Sequence, residues 1–245
     1  MISLKMRERS DELMDDPSIP EAVHRQALAG LARLNALSGI ASLLFGRLRR
    51  LQRRNPDRPL RVFDVASGAG DLPIKWLIAA RKRRVPLQVT ASDLSSQAIE
   101  YQQKSARQAG VELGEFQLDC LRDPIPGGFD VVICSLFMHH LEDHECSRLL
   151  QSMQMASEQT MLVCDLERSG FNLVSVGVAS RLVTRSHVVH HDATASIRGA
   201  YTREEFKKLA EDSLALPVAV ESLFPCRFLA TVDYATVPEL TPAFA

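Results

Sequence analysis

The residue types best suited to chemistry lie where apolar runs end. The first such place is Val62-Phe63-Asp64-Val65-Ala66-Ser67-Gly68-Ala69-Gly70-Asp71, an apolar run that ends on an acid and enters a loop of small residues. Glycine lacks a Cβ, so the backbone at Gly68 and Gly70 can approach a ligand closely and adopt positive φ. Asp93 closes a second run in Thr90-Ala91-Ser92-Asp93, and Asp119 a third in Gln117-Leu118-Asp119-Cys120. An acid ending a second strand can accept hydrogen bonds from ribose hydroxyls; Asp119 can take the exocyclic amine of an adenine. The competing reading of such strand-end acids is that they cap the helix that follows.

The loop also narrows the ligand. A dinucleotide fingerprint needs G-x-G-x-x-G, with the helix N-terminus facing a pyrophosphate. Here the third glycine position is Pro73, and the helix opens with the negative Asp71. Both features disfavour NAD and FAD and suit a cofactor with no phosphate and a positive centre.

Histidine, with an unperturbed pKa of about 6.5, is the usual side chain for moving a proton at neutral pH. His139 and His140 follow a fourth apolar run. Adjacent residues on an extended segment point oppositely, so at most one of them is expected to face a substrate as base. The other reading is that they cap or pack at the entrance of the next helix. His187, His190, His191 and Asp192 form a second group. It lacks a convincing set of metal partners, so no metal site is expected. The group reads as substrate-pocket residues, with His191 a candidate base, or as an exposed lid. Asp165-Leu166-Glu167-Arg168 is expected to shape a pocket mouth, with Glu167 and Arg168 in a buried ion pair. Asn35, on an otherwise apolar helix, is a candidate contact to cofactor or substrate.

These residues need elements to position them. Leu28, Leu31, Leu34, Ile40, Leu44, Leu48 and Leu51 have helical spacing, which predicts a helical region over residues 1–55, bent or weakened at Gly39 and Gly46. From residue 60 apolar strands alternate with amphipathic helices. Strands are expected at 60–65, 87–91, 111–118, 129–136 and 160–165, with helices at 71–84, 95–109 and 142–156. This rhythm predicts an α/β fold, a doubly wound parallel sheet with helices on both sides. Residues 168–200 break the rhythm and read as a partly helical insertion after the fifth strand. Thr202 and Glu205 form a capping box. Strands at 218–221 and 227–234, joined by Phe224-Pro225-Cys226, predict a closing hairpin and one antiparallel strand. The expected organisation is an N-terminal helical cap, 1–55, and a main domain, 56–245.

Composition sets the outer bounds. The chain has 245 residues, with 29 basic and 30 acidic side chains and a net charge of −1. Bulk charge therefore does not argue for nucleic acid or a membrane surface. No apolar run approaches the ~20 residues that span a bilayer, and the charged stretch 1–16 lacks the apolar core of a signal peptide. The five cysteines have no CxxC spacing, and three of them fall in apparent strands. A reduced, cytoplasmic protein is expected.

The combination of Asp64-Val65-Ala66-Ser67-Gly68-Ala69-Gly70, Asp93, Asp119 and Phe129-Asp130-Val131-Val132 resembles the class I S-adenosylmethionine-dependent methyltransferases. The resemblance is close over about residues 55–167. It implies a Rossmann-like, seven-stranded sheet with S-adenosylmethionine as cofactor. The loop would pass under the methionine part, with Asp93 on the ribose, Asp119 near the adenine and Ser135 near the methionine end. Asp64, Ala66, Ser67, Gly68, Gly70, Leu94 and Cys120 complete the implied cofactor wall. Ala66 departs from the family, which often has a glycine there. Cys134-Ser135-Leu136-Phe137-Met138-His139-His140-Leu141 is similar to the small-molecule branch that includes quinone and polyketide methyltransferases. No Asn/Asp-Pro-Pro-Tyr-like motif follows the fourth strand, which disfavours base or amide nitrogen as acceptor. The implied reaction is methyl transfer to a phenolic or polyketide-like oxygen of a small, rather apolar acceptor, with a histidine base. The alternatives are carbon methylation of a quinone-like ring and an RNA methyltransferase using the basic clusters at 47–61 and 81–84.

Overall fold

The computed structural model describes residues 38–236 and, before them, residues 4, 6–10, 12–15, 19–20, 22–23, 26–27, 30 and 33–34. Seven strands, β1 (Leu60–Val65), β2 (Leu87–Asp93), β3 (Gly114–Gln117), β4 (Phe129–Ser135), β5 (Ser157–Leu166), β6 (Ala219–Leu223) and β7 (Arg227–Asp233), form one sheet in the order β3-β2-β1-β4-β5-β7-β6. The pairs from β3 through to β5 are parallel, and β7 runs antiparallel to both β5 and β6. The seven-stranded, mostly parallel α/β sheet with one antiparallel strand is as expected. Strand order reverses between β1 and β4, and open α/β sheets bind ligands at the carboxyl ends of the strands at such a switch point.

Seven α-helices are described: α1 (Ile40–Gln52), α2 (Asp71–Arg83), α3 (Ser96–Ala109), α4 (Asp143–Ala156), α5 (Gly170–Val183), α6 (His187–Gly199) and α7 (Arg203–Leu214). β1 and β4 are almost wholly buried because helices cover both faces of the sheet. On one face Leu44, Leu48 and Leu51 of α1 and Trp76 and Leu77 of α2 pack on Val62, Val131 and Ile133, and α3 lies against α2. On the other face Leu149, Leu150 and Met153 of α4 and Phe206 and Ala210 of α7 pack on Phe63, Val132 and Phe228.

The sequence signals for helix ends are realised. Ser95 caps α3 by accepting a hydrogen bond from the Ala98 N–H, and Gly110 ends it at φ +63°. Both hydrogen bonds of the Thr202–Glu205 capping box form. Gly39 interrupts the apolar stripe as expected: it adopts φ +67°, and α1 starts after it. Two expectations change. β3 is shorter than expected because residues 111–113 carry no ladder. Only Cys134 and Cys164 lie in strands; Cys146 is helical, and all five thiols are free. Leu28, Leu31 and Asn35 lie outside the described residues.

The stretch 168–200 folds as α5 and α6, which pack together beyond the carboxyl edge of the sheet. Residues near the N-terminus bind across them. Leu13 N–H and Met14 N–H donate to the two oxygens of buried Asp192, at 2.8 and 3.0 Å. Arg7 donates to the carbonyls of Gly199, His139 and Leu141, and its guanidinium lies over the Tyr201 ring. No helix among the described residues is long and apolar enough to cross a membrane.

Candidate active site

The glycine loop leaves β1 through Ala66 and is tied to both neighbouring elements. Ser67 N–H donates to Ser92 O at 2.7 Å, and the Ser67 hydroxyl donates to Asp64 O at 2.8 Å. Gly68 N–H donates to Asp93 Oδ2 at 2.8 Å, while Asp93 Oδ1 accepts from Ser95 N–H at 3.0 Å. From α3, Gln102 Nε2 donates to Gly68 O at 2.7 Å. Gly70 must be glycine: its φ is +73°, and a Cβ there would lie 2.8 Å from Gln102 Cγ. Gly68 is different. Its φ is +54°, yet a Cβ would meet nothing within 4 Å, so its outer side faces open space.

The strands that flank the loop carry two unanswered polar groups at or near their carboxyl ends. Asp64 Oδ1 and Ser135 Oγ are buried without a hydrogen-bond partner, an arrangement that costs free energy until a ligand answers it. Burial pushes the Asp64 carboxyl up to about 7, against the opposing bond from Ser67. The residues present therefore fit the cofactor implied by the loop. Leu118 N–H donates to Asp93 O at 3.0 Å and joins the ends of β2 and β3. Asp119 accepts from Leu121 N–H at 3.1 Å and pairs with Arg122 at 3.5 Å; it closes a turn, and no helix follows for it to cap. Leu94 is exposed beside Asp93, and burial with the neighbouring Asp119 pushes the Cys120 thiol up to about 12, so it stays protonated.

Beyond the ends of β4 and β5 lies a cavity of about 420 Å³, mostly apolar in lining and within the size range of small-molecule sites. Leu136, Leu166, Val176, Ala179 and Val183 supply apolar walls, and Glu12, His139 and His140 one polar end. The apolar residues of α5 divide by helix face. Val176 lines the cavity, but Phe171 (74% exposed) and Val174 (66% exposed) point outward with Val178 and Leu182. Residues three and four apart share a helix face, so α5 turns 176, 179 and 183 inward and 171, 174, 178 and 182 out. Ala66 and Leu136, at the ends of the adjacent strands β1 and β4, both hold positive φ, +52° and +55°. Strained backbone of this kind concentrates at functional sites.

The two adjacent histidines lie in a short 3-10 turn, Met138–His140, not on an extended segment. Their rings therefore stack on one side, centroids 4.1 Å apart, and both line the cavity. This corrects the expectation that only one could face it: alternation holds for strands, not for a helical turn. His139 Nδ1 lies 2.6 Å from Asp165 Oδ1, and its backbone N–H donates to Asp165 Oδ2 at 3.1 Å. Burial opposes the charged ring of His139, but Asp165 outweighs it and raises the pKa. Burial, then the neighbouring His139, pushes His140 down to about 4.

The later histidines lie elsewhere. His190 Nε2 is 2.8 Å from Thr184 O, and exposed His191 is 3.0 Å from Asp192 through Nδ1. Neither lines the cavity. Glu167 and Arg168 do not pair with each other; Glu167 meets Arg203 at 2.7 Å and Arg168 meets Glu205. Four of the seven arginines at 47–61 are paired within the fold: Arg47 with Glu221, Arg54 with Asp233, and Arg58 and Arg61 with Asp130. Arg81 is bound to the carbonyl of Gly110. Sequence reasoning missed Gln102 and Glu12. Gln102 left a signal, a polar residue between Ile99 and Ala106 on the inner stripe of α3. Glu12 left none, because it sits in a charged run without periodicity.

Residues 62–159 match a family described as a methyltransferase domain. No curated protein matches the chain. Among solved structures, the S-adenosylmethionine-dependent methyltransferase SibL, in its apo form, shares 17% identity and a TM-score of 0.64, over 92% of this chain and 63% of that one. The plantazolicin methyltransferase BpumL, in complex with SAH, shares 13% and a TM-score of 0.67, over 89% and 91%. The magnesium protoporphyrin IX methyltransferase of Synechocystis PCC 6803, with bound SAM, shares 14% and a TM-score of 0.54, over 89% and 86%. The chain thus spans less than two thirds of SibL's length. Residues 62–159 thus match a methyltransferase domain, and the chain shares its fold with solved methyltransferases.

Proposed function

From a chain that carries a methyltransferase domain in the fold of the S-adenosylmethionine-dependent enzymes, we propose that this protein methylates a small, rather apolar acceptor, at a phenolic or polyketide-like oxygen. When bound, S-adenosylmethionine supplies a methyl on a sulfonium that is already a good leaving group, and transfer is one in-line displacement. The chain's own task is to hold and align, and alignment of this kind can supply about 7–11 kcal/mol.

The observation that carries the reading is the loop. Gly68 leaves space open above a backbone locked by Asp93 and Gln102, and four residues earlier, on the strand that feeds the loop, Asp64 Oδ1 is buried and unpaired. A carboxyl with one unpaired oxygen suits a cationic ligand better than a pyrophosphate. Asp93 holds the loop and is the residue for the ribose; Asp119 and Cys120, with Leu94, are those for the adenine; Ser135 and Ala66 flank the methionine end. The mostly apolar cavity next to the end of β4 takes the acceptor, and its hydroxyl proton leaves at the polar end formed by His139 and His140. A positioned base contributes about 10²–10⁴-fold. Five free thiols suit a reducing cytoplasm.

Calorimetric titration with S-adenosylmethionine, and in parallel with NADH, tests the assignment. Binding of the first and not the second is expected; a preference for NADH overturns it.

A further inference from the structure

Three groups at the polar end of the cavity come from separate stretches of chain: Glu12 near the N-terminus, and His139 and His140 after β4. One carboxylate oxygen and two ring nitrogens there all lie within 4.8 Å of one another. Glu12 Oε1 is 3.9 Å from His139 Nε2. The other nitrogen of His139 is engaged by Asp165 at 2.6 Å, which turns Nε2 toward Glu12. Ser196 donates its hydroxyl to the same Glu12 oxygen. Of the cations nearby, Arg7 meets Asp143 and Arg9 meets Glu142, and Arg227 also lines the cavity.

We propose that Glu12, His139 and His140 bind one divalent cation of the zinc class, with its open coordination positions facing the acceptor cavity. Two imidazoles among three ligands select a borderline metal over magnesium or calcium, which prefer all-oxygen shells. Three protein ligands with a position left for substrate is the pattern of catalytic rather than structural zinc. A carboxylate on the far nitrogen of a ligating histidine is the usual outer support, and Asp165 occupies that place. Metal–ligand bonds of about 2.0–2.2 Å would draw the Glu12 and His139 atoms together by roughly half an ångström. Glu12 lies outside any helix or strand, so its side chain can follow this.

The role given to the cation rests on the methyl-transfer reading; its binding does not. In that role an acceptor hydroxyl would lose its proton to solvent, its pKa lowered by the cation rather than the proton taken by a histidine base, because both rings are then ligands. The acceptor oxygen then forms the new bond to the methyl carbon as the carbon–sulfur bond breaks and its electron pair returns to sulfur.

The test uses the full chain without an affinity tag, stripped with a chelator and titrated with Zn²⁺ by calorimetry and with Co²⁺ by visible absorption. One equivalent of each metal is expected, with d–d bands for Co²⁺. E12Q and H140N should each weaken Zn²⁺ binding at least 10-fold while circular dichroism and S-adenosylmethionine binding stay unchanged. Absence of stoichiometric binding, or binding that neither variant alters, overturns the site. Metal binding without S-adenosylmethionine binding leaves the site standing and removes its methyl-transfer role.

Discussion

Asp165 grips His139 twice: one carboxylate oxygen lies 2.6 Å from the ring Nδ1, and the other accepts the His139 backbone N–H at 3.1 Å. The end of β5 thereby fixes both the position and the ring orientation of a residue on the turn after β4. Asp165→Asn keeps the shape but presents an amide to a ring nitrogen that needs an acceptor. Methyl transfer, and Zn²⁺ affinity with it, should fall about 10–100-fold, while S-adenosylmethionine affinity is unchanged. Single-turnover kinetics beside calorimetry checks this; equal loss of both would make Asp165 a general structural residue.

The two loop glycines should fail differently. Gly70→Ala places a Cβ against Gln102 at φ +73° and displaces the side chain that holds Gly68 O. It should destabilise the protein by about 1–3 kcal/mol. Gly68→Ala meets no atom and incurs only the left-handed backbone cost, about 1–2 kcal/mol, yet it fills the space assigned to the cofactor. Urea unfolding and calorimetry on both variants should therefore separate: the first loses mainly stability, the second mainly S-adenosylmethionine affinity.

Ala66 holds φ +52°, the region that favours glycine. Ala66→Gly relieves that strain but loosens the unfolded chain, so the net gain should be about 0.5–1 kcal/mol. A higher unfolding midpoint with unchanged cofactor affinity is the expected result.

Asp64 makes stability depend on pH. Burial raises its pKa in the folded protein to about 7, against about 3.9 in the unfolded chain. The folded state then binds more protons than the unfolded one between those values, so stability falls as pH rises through the window. Without cofactor, wild type should lose about 2–3 kcal/mol between pH 5 and 7.5 relative to Asp64→Asn, whose amide does not titrate. Urea unfolding at the two pH values measures the difference; parallel curves would remove Asp64 as the source.

Much of this architecture is legible locally. Alternation of apolar runs and amphipathic helices is set by side-chain period. That period alone places β1, β2, β4 and β5, and turn and capping chemistry adds the ends of α3 and α7 and the antiparallel closing strand. The glycine loop is equally legible, because Gly68, Gly70, Asp71 and Pro73 constrain one short backbone turn whatever surrounds it.

What the tertiary structure alone decided concerns residues far apart in sequence. Glu12, His139 and Asp165 meet only because the N-terminal segment crosses the end of a sheet whose order brings β4 beside β5. The face that α5 turns to the cavity, and the separate partners of Glu167 and Arg168, likewise depend on which elements pack there. Side-chain period and turn chemistry are properties of a few consecutive residues and can be read from them. Long-range pairings depend on the whole packed arrangement, and no single segment contains them.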